Sequence, residues 1–476
     1  MFTLADVYRA AGAPASPGAE AVTLVGAHYD SRRMGAGRLF VAMPGARVDG
    51  NDFIADAFRR GATAALCSRQ DPAHALDRQV VTGDALAAFQ RLAGAIRARS
   101  KATVVGVTGS NGKTTAKQAI AAALGADGPV LATERSENTD VGVPATLAGL
   151  RAEHRYAVLE MGAQTVGEIA AYCAFARPHA GVVTNISGAH LGLFKSMEAV
   201  LEAKSELLRA LPDGGPLILN MDDAHYPGLR ALARGPVTTF GRGEAAQIRV
   251  EAHLLPGAAG TAVGLHAGGA SWRCEAPGLA GPVDLAFGAA FATARALGIP
   301  DAHAVAGLRA FQPAPHRMSL RRLGSGAVLL DDSYNANAAS ALEALATLRR
   351  IPAAGRKIAV LGDMFELGPF GPAAHHAVGR AAAGLASLVC VGALSVHYQA
   401  GALAAGMAPE QIEAFEADPA SDAALTAARA RVLERLRAGL RPDDVVLLKA
   451  SNGMGFGLLA EALAADAPAP GSGGVG

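Results

Sequence analysis

The stretch Val104–Thr115, VVGVTGSNGKTT, leaves the chain little local choice. β-Branched residues at Thr103, Val104, Val105 and Val107 suit a buried strand, and Lys113–Gly125 (KTTAKQAIAAALG) is built from strong helix formers. A strand therefore enters a glycine-containing turn and leaves as a helix. Gly109 and Gly112 let successive N–H groups and the helix N-terminus face an anion, which makes the turn a phosphate cradle. Lys113 brings a charge for terminal phosphates and Thr114 a hydroxyl for Mg²⁺. The strict GxxxxGK[ST] pattern has glycine where Val107 stands, so TGSNGKTT is a variant whose flanks carry the assignment.

At 476 residues the chain exceeds one ordinary core, and two to three domains are expected. With 43 basic and 42 acidic residues, nothing electrostatic argues for a nucleic-acid or acidic-membrane partner, although local charge can still serve a phosphorylated small substrate. Cys67, Cys173, Cys274 and Cys390 have no CxxC spacing, which points to buried small hydrophobes in a reducing compartment. The N-terminus MFTLADVYRA carries acid early and is not a signal peptide, and charge, Gly or Pro interrupts every alanine-rich run before it could span a membrane. A soluble, cytoplasmic monomer is expected.

Residues 1–98 form a first α/β unit, with apolar runs at Leu39–Ala42 and Ala64–Cys67 and a helix Ala85–Arg99 capped by Asp84, its Leu86, Phe89, Leu92 and Ile96 at helical spacing. In this unit Arg32, within Asp30-Ser31-Arg32, is either a diphosphate grip or an isolated surface arginine. Residues 99–312 alternate strand and helix and imply a parallel sheet covered on both faces. Its strands are expected at Ala157–Leu159, Gly181–Thr184, Leu217–Leu219 and Val237–Phe240, and its helices at Val166–Ala176 and Met197–Leu211. The Gly- and Ala-rich stretch Glu251–Gly281 reads as short antiparallel strands. Residues 313–465 repeat the alternation without a phosphate loop, and 466–476 read as a disordered tail.

Ligands collect beyond the carboxyl ends of such strands, where Glu160 and Asn185 fall. Thr114, Glu160 and His190 together form a magnesium constellation, while separately Glu160 is a capping acid and His190 a loop histidine. Lys204, flanked by Glu202 and Glu206, reads from spacing as part of a solvated charged face.

Several segments then agree with one family. They are TGSNGKTT at Thr108–Thr115, DSR at Asp30–Arg32, GRLFVAMPG at Gly37–Gly45, VGVP at Val141–Pro144, GEI at Gly167–Ile169, NISGAHL at Asn185–Leu191 and AKSEL at Ala203–Leu207. Two more are DDSYNAN at Asp331–Asn337 and LGDMFELG at Leu361–Gly368, followed by His375. Over nearly its whole length the chain resembles the Mur ligases, ATP-dependent amide ligases of cell-wall synthesis, and within them the dipeptide-adding branch.

The resemblance implies three domains: a small N-terminal α/β domain for the uridine nucleotide, a central P-loop ATPase and a C-terminal Rossmann-like domain for the incoming amine. It implies ATP and Mg²⁺ as cofactors, UDP-MurNAc-tripeptide and D-Ala-D-Ala as substrates, an acyl-phosphate intermediate and closure of the third domain. By carry-over, Thr108, Gly109, Ser110, Asn111, Gly112, Lys113, Thr114 and Thr115 hold ATP together with Arg317 and Asp332. Lys113, Glu160, His190 and Lys204 serve catalysis, and Lys204 matches a lysine whose carbamylation turns a cation into a metal-binding anion. Ser31, Arg32, Asn138 and Asn335 fall to the substrates.

Some positions depart from the family. Val283-Asp284…Phe287 stands where a His-Asn…Asn motif meets adenine, Gly192 where a glutamate is common, and Lys449-Ala450-Ser451-Asn452 where Lys-Gly-Ser-Arg is usual. These leave open a paralogue of the same chemistry that joins a different amine to a different carboxylate.

Overall fold

The computed structural model describes residues 1–45, 48–188 and 191–465. The expected tail and His190 lie outside them. Their strands form one two-stranded, one four-stranded, one six-stranded and one nine-stranded sheet.

The strand Thr103–Thr108 lies inside the largest sheet, between Ala180–Val183 and Tyr156–Glu160, and is parallel to both. Its alternation sorts its side chains: Val105 and Val107 join the core on one face, with Phe287 and Phe291, and Val104 the core on the other. Gly106 faces the second side, where a Cβ would come 2.7 Å from Leu207 Cδ1. Helices Lys113–Gly125, Val283–Ala296 and Asp301–Arg309 contribute to the first core, and Ala85–Arg99, Gly142–Ala148, Glu168–Ala176 and Met197–Ala210 to the second.

This sheet is parallel from Val130–Ala132 to Ile248–Leu254 but not throughout. Ile248–Leu254, Gly260–Ala267 and Ala270–Pro277 form an antiparallel meander that extends its edge, in keeping with the antiparallel strands expected over Glu251–Gly281. The strands have seven and eight residues rather than being short. Gly268 and Gly269 close the second hairpin with φ of 59° and 81°, a two-residue turn that wants glycine at both positions.

The N-terminal sheet runs Gly26–His28, Arg38–Val41, Ala64–Cys67, Gln79–Val81, all parallel. Helix Ala85–Arg99 follows, with Asp84 accepting the Ala87 N–H at 2.9 Å. Phe89, Leu92 and Ile96 are buried as expected and Leu86 half-buried. The helix packs against Leu4–Ala11 on one side and Gly142–Ala148 and Glu168–Ala176 on the other, so the first unit shares a core with the central sheet. Arg97 reinforces that seam by donating to the carbonyls of Ala176 (2.9 Å) and Arg177 (3.2 Å).

The third sheet runs Ser319–Arg322, Val328–Asp332, Val445–Lys449, Lys357–Gly362, Ser387–Val391, Ile412–Phe415, parallel except at its first strand, with its own cores on both faces. Beyond Lys357–Gly362, the buried Asp363 carboxylate accepts the N–H groups of Ala393 (2.8 Å) and Leu394 (3.1 Å). His375 accepts the Met364 N–H at Nε2 (3.0 Å) and donates from Nδ1 to Gly371 O (2.7 Å). All four cysteines are buried and free. Among the described residues no helix is long and apolar enough to cross a membrane.

Candidate active site

The turn after Thr103–Thr108 needs its two glycines for different reasons. At Gly109 (φ 142°) a Cβ would sit 2.0 Å from Thr184 Oγ1, whereas Gly112 (φ 75°) meets open space and supplies the left-handed residue at the helix N-terminus. The turn is framed by Thr184–Ser187, just beyond Ala180–Val183. Asn185 O accepts the Ser110 N–H (2.8 Å) and its Oδ1 the Asn111 N–H (3.0 Å). Thr184 Oγ1 donates to Asn111 O (2.7 Å) and Ser110 Oγ to Ser187 O (2.8 Å).

A cleft of about 1010 Å³ opens above this turn, lined by Ser110, Asn111, Gly112, Lys113, Thr114 and Thr115 and reaching across to the third sheet. Thr108 is buried beneath it and donates to Met161 O at 2.8 Å. Lys113 folds back on the turn, its Nζ donating to Gly109 O (2.7 Å) and Ser110 O (3.0 Å). Burial lowers its pKa to about 8 against the opposing charge of Glu160.

Glu160, 1% exposed at the end of its strand, accepts at Oε1 from Thr114 Oγ1 (3.1 Å) and Asn138 Nδ2 (2.7 Å). Its buried Oε2 has no hydrogen-bond partner among the described residues, and the Lys117 ammonium lies 3.8 Å away. Lys117, equally buried, donates to the carbonyls of Thr133 and Arg135 at 2.6 Å each. Sequence reasoning passed over Lys117, although its place one helical turn after Lys113 puts it on the same helix face.

The third sheet contributes from the far wall. Arg317 Nη2 donates to Ser136 Oγ (2.8 Å), which in turn lies 3.1 Å from Thr114 Oγ1, while its guanidinium stacks 3.9 Å from the Tyr334 ring centroid. Arg317 stands between two residues in left-handed conformations, His316 (φ 61°) and Met318 (φ 53°). Asp332 pairs with the buried Lys449 (2.5 Å), whose Nζ also donates to Asn335 O (2.7 Å). Asn337 Nδ2 reaches Asn111 Oδ1 in the phosphate turn itself (2.7 Å).

Lys204 corrects the sequence reading of a solvated face. It is 2% exposed, its ammonium is 5.5 Å from the Phe194 ring centroid, and burial lowers its pKa to about 7 with Lys113 adding to the effect. Glu206 is buried too and caps Glu168–Ala176 through the N–H groups of Gly167 (2.5 Å) and Ala170 (2.9 Å), while Glu202 alone behaves as expected, pairing with Arg209 at the surface.

Thus Lys113, Thr114, Glu160, Asn138, Arg317, Asp332 and Asn335 meet at one cleft. Ser31 and Arg32 are not among its lining residues: Ser31 Oγ donates to Asp56 (2.8 Å), and the exposed Arg32 forks onto Asp30 (2.7 Å). At the departed positions, Asp284 is buried under a two-bond pair with Arg242 (2.7 and 3.0 Å), and Phe287 packs edge-on to Phe311.

Three family models match the chain in sequence: the Mur ligase family catalytic domain over residues 23–99, the Mur ligase middle domain over 107–275, and the Mur ligase glutamate ligase domain over 316–452. A UDP-N-acetylmuramoyl-tripeptide--D-alanyl-D-alanine ligase of Mycobacterium tuberculosis is 37% identical, the match covering 92% of each chain. One from Escherichia coli is 37% identical over 78% of this chain and 82% of its own. Among solved structures, MurF from Acinetobacter baumannii superposes with a TM-score of 0.81 at 28% identity over 98% of this chain and 99% of its own. MurF from Thermotoga maritima in complex with ADP does so at 0.76 and 27% over 94% and 98%. With a nine-stranded sheet set between a four-stranded and a six-stranded one, a framed phosphate turn and matches of this extent, the chain belongs to the Mur ligase family.

Proposed function

We propose that this chain is the ATP-dependent ligase that adds D-alanyl-D-alanine to UDP-N-acetylmuramoyl-tripeptide, the activity that its relatives' names carry. A carboxylate is a poor electrophile and must be activated before an amine can displace oxygen from it. The proposed route is phosphorylation by ATP to an acyl phosphate, then attack by the dipeptide's amine with loss of phosphate. The N–H groups of the turn, the N-terminus of Lys113–Gly125 and the Lys113 ammonium are arranged to hold and neutralise a phosphate chain. Arg317 reaches the same place from the third sheet.

The observation that carries this reading is the buried Glu160, its Oε1 on the Thr114 hydroxyl and its Oε2 without a hydrogen bond among the described residues, 3.8 Å from the Lys117 ammonium. Lys117 supplies charge at that distance but no donor contact, so the carboxylate remains open to a cation, and oxygen ligands are what Mg²⁺ takes. Thr114 and Glu160 would hold it, and when bound it would supply charge neutralisation at the transferring phosphoryl group. Lys204 joins them if carbamylated. Burial that brings its pKa near neutrality leaves free amine, the form that adds CO₂. His190 enters this set from the family resemblance alone. A cytoplasmic location fits these substrates.

Incubation of the purified chain with ATP, Mg²⁺, UDP-MurNAc-tripeptide and D-Ala-D-Ala should release phosphate and yield the pentapeptide. Phosphate release only with some other amine would replace this substrate assignment, and none with any amine would end the ligase reading.

A further inference from the structure

The loop Thr133–Val141 gives the cleft Ser136, Asn138, Thr139 and Asp140 and is held from three sides. From beneath, Lys117 grips the carbonyls of Thr133 and Arg135. Toward the cleft, Ser136 meets Thr114 and Arg317, and Asn138 meets Glu160. Glu137 lies between them and faces the other way, into the N-terminal sheet. Its Oε1 is 3.1 Å from His28 Nε2 and 2.5 Å from Arg33 Nη1, and Arg33 also pairs with Glu134.

His28 ends the strand Gly26–His28, and Arg33 closes the turn Ser31–Arg33 immediately after Arg32. The Asp30 N–H donates to His28 Nδ1 at 2.9 Å, and Arg33 Nη1 lies 3.0 Å from the same Nε2 that faces Glu137, so the three side chains form one cluster. Burial by itself would raise the Glu137 carboxyl; His28 and Arg33 outweigh it and hold the pKa below its ordinary value. The loop has no slack around this contact. The Gly162 N–H donates to Asn138 O (2.8 Å), and a Cβ at Gly142 would come 2.4 Å from Glu137 O.

We propose that Glu137, clasped by His28 and Arg33, is a positioning residue that couples occupation of the N-terminal sheet by the acceptor to the seating of Glu160 by Asn138. Ser136, Glu137 and Asn138 belong to one tight turn, the Glu137 N–H donating to Glu134 O (3.1 Å) and the Asn138 N–H to Ser136 O (2.8 Å), so a shift of the Ser31–Arg33 turn that moves Glu137 must move Ser136 and Asn138 with it. The cleft then closes around its carboxylate only when the turn is in its clasped position. The identity of the acceptor rests on the function proposed above; the clasp itself does not.

Two variants of the full chain test this. E137Q keeps shape and removes charge, and R33M keeps reach and removes the fork. With ATP and acceptor varied separately, both should raise the acceptor KM by about fivefold or more and lower kcat, leaving the ATP KM within about twofold. Hydrogen exchange provides a readout free of turnover: UDP-MurNAc-tripeptide alone should slow exchange across residues 133–141 in the unmodified chain and not in E137Q. Equal shifts in both KM values, or unaltered kinetics and exchange in both variants, overturn the coupling. If the unmodified chain releases no phosphate with this acceptor, the ligase reading fails and the exchange response decides the clasp. Should E137Q melt far below the unmodified chain, R33M decides instead.

Discussion

Glu160 presents two oxygens to unlike surroundings, one saturated by Thr114 and Asn138 and one facing only Lys117 at a distance. Lys117→Met should therefore cost stability twice, by leaving a buried carboxylate without its counter-charge and by freeing the carbonyls of Thr133 and Arg135. A loss of about 3 kcal/mol in denaturant unfolding is expected. Lys113→Ala frees the carbonyls of Gly109 and Ser110, but these face the open cleft, where water replaces the ammonium; the variant should fold normally, while phosphate release falls by about 10² or more as the transferring group loses its fixed charge. A second titratable pair sits in the third sheet, where Asp363 and His375 lie 3.8 Å apart with opposite shifts. Burial raises Asp363 to about 6 despite the two N–H groups it accepts, and burial lowers His375 to about 4. Between those values the folded chain binds an extra proton at Asp363, so that group makes stability fall as pH rises. The unfolded chain binds the extra proton at His375, which makes stability rise. The two slopes offset in the natural chain. Asp363→Asn should unmask a rise from about pH 4.5 to 6 and His375→Gln a fall, each up to about 1.4 kcal/mol per pH unit by chemical denaturation.

The phosphate turn shows how an element can be legible when its supports are not. Its strand, glycines and helix follow from β-branching, turn chemistry and helix propensity, which are local. The frame Thr184–Ser187 is remote in sequence, and only Asn185 was marked by its position after a strand. The requirement at Gly109 is tertiary in the same way: Gly109→Ala should abolish nucleotide binding in calorimetry, because the added methyl meets the Thr184 hydroxyl and φ of 142° excludes it. Lys117 looked like any helical lysine, and Lys204 like a surface one, because spacing reports which face of a helix a residue occupies but not what covers that face. Asp332 and Lys449 meet across 117 positions on neighbouring parallel strands, a register no local pattern encodes. The meander from Ile248 to Pro277 was legible as antiparallel but not in extent, since its alanines and glycines blur the alternation that marks strand length.

Across the whole molecule the two junctions differ in kind. The first unit is welded to the central sheet through helix Ala85–Arg99 and a common core, whereas the third sheet's cores take in little of the central unit beyond Ala280 and Leu254, and it meets the cleft through polar contacts. One further contact is a close one: Gly192 donates its N–H to Glu366 O (3.1 Å), and a Cβ there would lie 2.6 Å from Gly368 N. Gly192→Val should hold the third sheet away, raising the radius of gyration in solution scattering and cutting kcat by roughly tenfold, with nucleotide affinity weakened as Arg317 is withdrawn from the cleft. The left-handed residues on either side of Arg317 are held by the third sheet itself, His316 Nδ1 lying 2.8 Å from Asp331 Oδ2 and the Met318 N–H donating to Asp332 Oδ1 at 3.2 Å. Each such conformation costs about 1 to 3 kcal/mol and persists only where its surroundings over-determine it. Arg317 therefore rides on a stiff stalk, and when the third sheet departs its guanidinium leaves with it rather than trailing behind.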